Sequence, residues 1–216
     1  NEIETSAEVF YKNINDVIDF ADDAYFIGNE EVDGEVRVGK GRAFGIEFMV
    51  RKDVGKLTGW VSYTYSRSLR TVPEINFGKE YVSSYDRPHC VSIVLNYAFN
   101  ERLDVSANWI YNTGQPVTYP YGKFNVNGNN YAIYNGSRNK SRYPAYHRLD
   151  LSATWKCKDK GKRWKSEWSV SLYNVYGRHN TWAVIFTNDK HNPETIKTEK
   201  MYLFTIVPSI SYNFKF

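Results

Sequence analysis

The sequence predicts an all-β chain, an antiparallel transmembrane β-barrel meander of about eight strands. Three observations predict it. Apolar residues recur at every second position in segment after segment, the segments reach 14 residues or more, and the connections between them alternate short and long. At 216 residues the chain suits one all-β domain, read here as a single unit over 1–216. Aromatics make up 17% of it, with Tyr 18, Phe 12 and Trp 6, and strand formers are abundant. No run of 18 apolar residues exists, which excludes a membrane-spanning helix, and no long amphipathic window supports a helical bundle. The net charge of +4 is too small to argue for a nucleic-acid partner, and none is expected. With no Met at position 1 and no signal-peptide pattern, the expectation is a mature chain or a piece of one.

Strands are predicted at about 2–18, 35–52, 56–70, 85–98, 102–114, 145–157, 163–188 and 200–216. In the first, Ile3, Ala7, Val9 and Tyr11 oppose Glu4, Ser6 and Glu8. The second sets Phe44, Ile46, Phe48 and Val50 against Gly45, Glu47 and Arg51. The third sets Leu57, Gly59, Val61, Tyr63 and Tyr65 against Thr58, Ser62, Thr64 and Ser66. In the fourth, Val91, Ile93, Leu95, Tyr97 and Phe99 oppose Ser92, Asn96 and Ala98. The fifth, Arg102 to Trp109, is apolar at every odd position and polar at every even one. The sixth opposes Leu149, Leu151, Ala153 and Trp155 to Arg148, Asp150, Ser152 and Thr154. The last carries Phe204, Ile206, Pro208, Ile210, Tyr212, Phe214 and Phe216 as one stripe. Successive strand side chains point to opposite faces, so each segment has one apolar and one polar face.

Short turns fall at 52–55, 100–101 and 158–161, and long loops at 19–34, 71–84, 115–144 and 189–199. A meander returns to the same end at every second connection, so all short turns share one end and all long loops the other. That asymmetry is the habit of outer-membrane barrels. Charged residues in mid-strand, such as Glu47 and Asp150, suit a wet lumen and not a dry sandwich core. Trp109, Tyr111, Trp155, Trp164, Trp168, Tyr212 and Phe214 read as girdle residues at the headgroup level. Two other readings remain at this point. One is a self-contained eight-stranded outer-membrane barrel with a structural or adhesion role, since eight strands can close on themselves. The other is a soluble sandwich that binds carbohydrate through its aromatics.

The ending Tyr212, Phe214, Phe216 resembles the carboxy-terminal strand of bacterial outer-membrane proteins, which the barrel-assembly machinery recognises. Four further segments resemble the carboxy-terminal half of TonB-dependent receptor barrels of the Bacteroidota kind. They are Gly41 to Phe48, Tyr85-Asp86-Arg87-Pro88-His89, Tyr146 to Leu151, and Leu172 to Asn180 followed by Ile206-Val207-Pro208-Ser209-Ile210. The resemblance runs over essentially the whole chain. It implies the last part of a 22-stranded barrel, without the plug domain and the TonB box. It further implies a non-enzymatic importer of a scarce nutrient such as an iron chelate, cobalamin or an oligosaccharide. The implied setting is the bacterial outer membrane, with long loops extracellular and short turns and carboxy terminus periplasmic. The implied partners are outer-membrane lipids, TonB through the missing amino-terminal part, the assembly machinery and, in some relatives, a surface lipoprotein lid.

No catalytic motif is present, and the four histidines lack metal-ligand spacing, so no catalytic residue, metal or cofactor is expected. Cys90 and Cys157 are expected at opposite ends of the strands, which forbids a bridge. For ligand binding, the loop 115–144 is the best candidate, through Tyr119, Tyr121, Lys123, Tyr131, Tyr134 and Arg138. Tyr with Asn, Ser and Gly is a recognition mix, and the loop has four bases and no acid. The same residues would equally build a packed external loop. The loop 19–34 is its opposite, with six acids and no base, and is expected to be solvated or to face the basic loop. Asp86-Arg87-Pro88-His89 and Tyr146-His147-Arg148 are expected to be rim architecture.

Overall fold

The computed structural model describes residues 2–22, 24, 32–120, 122–126, 129–133, 137–158, 165–188 and 196–215. Eight long strands form one sheet: β1 (Ile3–Phe20), β2 (Val36–Lys52), β3 (Leu57–Thr71), β4 (His89–Asn100), β5 (Leu103–Asn112), β6 (Tyr146–Lys156), β7 (Lys165–Tyr173) and β8 (Val207–Lys215). They lie in chain order, each antiparallel to the next. The tight returns have local causes. Gly55 takes φ 106 in the β2–β3 turn, a conformation that favours glycine. The Asn100 side chain accepts from the amides of Arg102 and Leu103, which closes the β4–β5 turn.

The register aligns the two faces across the whole sheet. Gly59, Leu95, Ala107, Leu151, Leu172 and Pro208 lie side by side on one face. On the other, Asn96, Ser106, Ser152, Ser171 and Ser209 are lateral neighbours. The Ser106 hydroxyl donates to Asn96 at 2.7 Å, and the Thr154 and Ser169 hydroxyls are 3.0 Å apart. The apolar face is not covered: Val9 is 76% exposed and Ile210 68%. Among the described residues the buried apolar cluster is small, Val72, Ile75 and Tyr81, and belongs mainly to the connection after β3. A soluble sandwich would have buried the apolar faces against each other; here they look outward, as lipid contact requires.

Aromatics border that face at both ends. Towards the long loops, Tyr63 and Tyr65 pack on His89, Trp109 on Tyr111, and Tyr111 on His147. Towards the short turns, Tyr97 meets Phe99, and Trp168 lies 4.7 Å from Tyr212, which stacks on Phe214. From His147 to Trp155 the strand rises roughly 26 Å at about 3.3 Å per residue, or roughly 20 Å once tilted by about 40°. That matches an apolar band between two girdles. Trp164 lies outside the described residues.

Several boundaries differ from expectation. The predicted strand 163–188 ends at Tyr173. Asn174 turns the chain away at φ 54, and its carboxamide donates to the carbonyls of Arg178 and Thr205 while accepting from the Arg178 amide. Ala183–Asn188 instead pairs with Ile196–Met201 as a separate hairpin. The last strand starts at Val207, so Phe204 and Ile206 precede the stripe; Phe216 lies outside the described residues. The fourth begins at His89, because Asp86 is drawn into the rim and Pro88 has no amide to give the ladder. β1 continues to Phe20 through a bulge between Ile14 and Val17. A second hairpin, Gly122–Val126 with Asn129–Ile133, occupies the loop 115–144. Cys90 opens β4 at the long-loop end, Cys157 follows β6 at the other, and both are free.

Candidate functional site

Chemistry-bearing side chains concentrate at the long-loop end, where three networks tie the loop roots together. The first is centred on Asp19 at the end of β1. Its carboxylate pairs with Arg70 at 3.1 Å and with Arg138 at 3.0 Å, and accepts from the Tyr81 hydroxyl at 2.8 Å. Arg138 also reaches Asp22 at 3.1 Å, and Asp22 accepts from the Asn76 amide. The acidic and basic loops therefore do face each other. Burial and the bond to Asp19 push the Tyr81 phenol well above its usual range, so it remains a donor through neutral pH.

The second network surrounds Asp86, whose side chain is fully buried. It accepts from the Ser68 amide at 2.7 Å and from Arg67 at 3.2 Å, and pairs with Arg142. Arg142 also donates to the carbonyls of Asp86 and Gly114. Gly114 is required there, because a Cβ would run into the Tyr143 carbonyl.

The third network builds a floor on the polar face of β6 and β7. Asp150 accepts from the Asn174 amide at 2.9 Å and pairs with Arg148. Arg148 donates to the Tyr146 hydroxyl at 3.0 Å and lies 4.0 Å from the centre of the Tyr173 ring. Asn180 clamps the strand beside it, exchanging hydrogen bonds with the backbone of His147. Above that floor opens a cavity of about 400 Å³. Its walls come from the roots of two long loops, Thr113–Gln115 with Tyr143 on one side and Asn180–Trp182 with Phe204 on the other.

The sequence-predicted ligand residues disperse. Tyr119 is half-buried near Tyr143, and burial raises its phenol. Arg138 is spent on two aspartates. Lys123 and Tyr131 fall on the two strands of the loop hairpin, while Tyr121 and Tyr134 lie outside the described residues. Tyr212 and Phe214 sit on the exposed face of β8. Of the cavity's lining, Gln115 and Tyr143 lie in the loop that the sequence reading favoured for ligand binding, whereas Thr181, Trp182 and Leu203 were not singled out. Asp86, the cavity residue Arg87 and Tyr146-His147-Arg148 fell within segments read as rim architecture. Among the described residues no group of three or more metal-ligating side chains occurs.

A family model for the barrel of proteins described as TonB dependent receptor-like matches residues 1–176. The crystal structure of the closed form of the ferric-catecholate import receptor Fiu from Escherichia coli K12 is similar in fold. Its TM-score is 0.58 at 13% identity, over 99% of this chain and 25% of that one. The chain thus spans a quarter of that receptor's length. No curated protein matches it in sequence.

Proposed function

The chain belongs to the TonB-dependent receptor-like β-barrel family, and from that premise we propose that it is wall and outer rim of an importer for a scarce nutrient. The observation that carries this reading is the open eight-stranded sheet with opposite lipid and lumen faces. Among the described residues β1 pairs with β2 alone and β8 with β7 alone. Free strand edges are untenable in hydrocarbon, and an open sheet of this kind supports a reading in which it forms part of a larger closed barrel. The match to a quarter of a much longer receptor supports this reading over a self-contained eight-stranded barrel. Iron chelates, cobalamin and oligosaccharides are the substrate classes in view, with energy delivered through TonB to a plug inside the barrel. The loop 115–144, through Tyr119, Tyr121, Lys123, Tyr131, Tyr134 and Arg138, would meet the nutrient outside. Tyr212, Phe214 and Phe216 would address the chain to the assembly machinery.

The reading is tested by the size of the native polypeptide in a detergent-extracted outer-membrane fraction, detected with an antibody to this segment. A band several times larger than 25.2 kDa is expected; a band at 25.2 kDa would remove the import reading. Orientation is tested separately. With Cys90 and Cys157 replaced by serine, Lys140→Cys should react with a membrane-impermeant maleimide on intact cells, and Glu101→Cys should not. The reverse pattern would invert the barrel.

A further inference from the structure

We infer that the cavity between the roots of the 113–145 and 174–206 loops is a binding site for one negatively charged sugar residue, a uronate-type ring. The inference rests on the import reading and names a substrate class for it. The charge follows from Arg87. Around the long-loop rim, Arg37, Arg42, Arg67, Arg70, Arg138, Arg142 and Arg148 each pair with a carboxylate. Arg178 donates to the Ala145 carbonyl. Arg87 lines the cavity, is exposed, and among the described residues its guanidinium has no partner. Among the described residues no carboxylate lines the cavity with it. An uncommitted guanidinium beside a recess free of acids is suited to a bidentate carboxylate.

The ring follows from the rest of the lining. Tyr146 and Tyr173 form a floor held in place by Arg148, while Tyr143, Trp182 and Phe204 supply further ring surface. Asn112, Gln115 and Thr181 offer donors and acceptors that no described protein group occupies. Flat apolar faces alternating with amide and hydroxyl groups match a pyranose, which has apolar C–H faces and a hydroxylated edge. About 400 Å³ is within the range of small-molecule pockets and ample for one such residue. The floor belongs to the polar face of the sheet, and the cavity lies at the long-loop end, so a ligand arriving past the loops would meet it before the lumen. A planar aromatic acid is the competing occupant. It would use Arg87 and the rings but engage fewer of the amide and hydroxyl groups than a pyranose does.

The test uses the full-length receptor in detergent, titrated by tryptophan fluorescence or calorimetry with three probes. These are a glucuronate-terminated disaccharide, its glucose-terminated counterpart and 2,3-dihydroxybenzoate. The glucuronate probe should bind tightest. Arg87→Leu should weaken it about tenfold or more, leave the glucose probe unchanged, and be partly rescued by Arg87→Lys. Trp182→Ala, at a 61% exposed position that tolerates truncation, should weaken both sugars. Equal binding of the two sugars, an Arg87→Leu variant with unaltered affinities, or preference for the aromatic acid would each overturn the assignment. Import that is abolished by a protonophore yet indifferent to Arg87 would sink this site and leave the import reading standing. Uronate binding without energy-dependent uptake would do the opposite.

Discussion

Replacing Leu151 with lysine should cost roughly 2–4 kcal/mol of barrel stability and sharply reduce assembly into the outer membrane. Leu151 lies midway along β6, four residues from His147 in one aromatic girdle and four from Trp155 in the other. Its lateral neighbours Ala107 and Leu172 are apolar, and it is 36% exposed on the side without a polar group to receive an ammonium. A lysine there must snorkel about half the thickness of the apolar band or draw water into it. The neighbouring Ser152→Lys change supplies the control. Ser152 faces Ser106 and Ser171 on the lumen side, where a long cation stays in water. Heat-modified gel mobility of membrane fractions reads the folded fraction. Equal damage from the two substitutions would mean that the face assignment is wrong.

Asp86→Ala should open the rim, not the barrel. The carboxylate is fully buried between Arg67, Arg142 and the Ser68 amide, so its removal takes the carboxylate from two guanidinium groups that are 31% and 26% exposed and leaves Arg142 only its two carbonyl acceptors. Breaking a buried pair by deleting one partner costs about 3–5 kcal/mol. The loss falls on the contact between the connection after β3 and the root of the 113–145 loop, since Arg142 also holds the carbonyls of Asp86 and Gly114. Limited proteolysis of whole cells should therefore cut 72–88 and 113–145 faster, while heat-modified mobility stays near that of the parent. Asp86→Asn, which keeps an acceptor for Ser68, should fall between the two. Unchanged proteolysis in Asp86→Ala would show that the loops are tied elsewhere.

The period-2 pattern located all eight long strands and, for all but the seventh, identified an apolar face, down to neighbouring pairs such as Leu151 and Ser152. It failed where a strand stops. The alternation lapses over Asn174 to Asn180 and resumes at Trp182, Val184 and Phe186, and the predicted strand ran through that gap. The stop is made by Asn174, which needs the carbonyl of Thr205, 31 residues away, to turn the chain out of the sheet. The candidate site shows the same division. A Tyr-rich basic loop was visible as composition, and its meeting with the acidic loop was visible as an opposition of charge. That Arg138 is consumed by Asp19, 119 residues distant, while Arg87 is left uncommitted, follows from no spacing in the chain.

Faces and strand order are properties of neighbours. A strand alternates its side chains every residue and a meander pairs each strand with the next, so both are set by residue order over short distances. The rim is not of that kind. Each arginine there could serve any of several carboxylates, and which pairs form depends on where the loop roots come to rest on the finished sheet. Residue order therefore settled which surface meets lipid and which meets water. Only the assembled sheet decided which rim arginines meet a carboxylate, and that Arg87, among the described residues, does not.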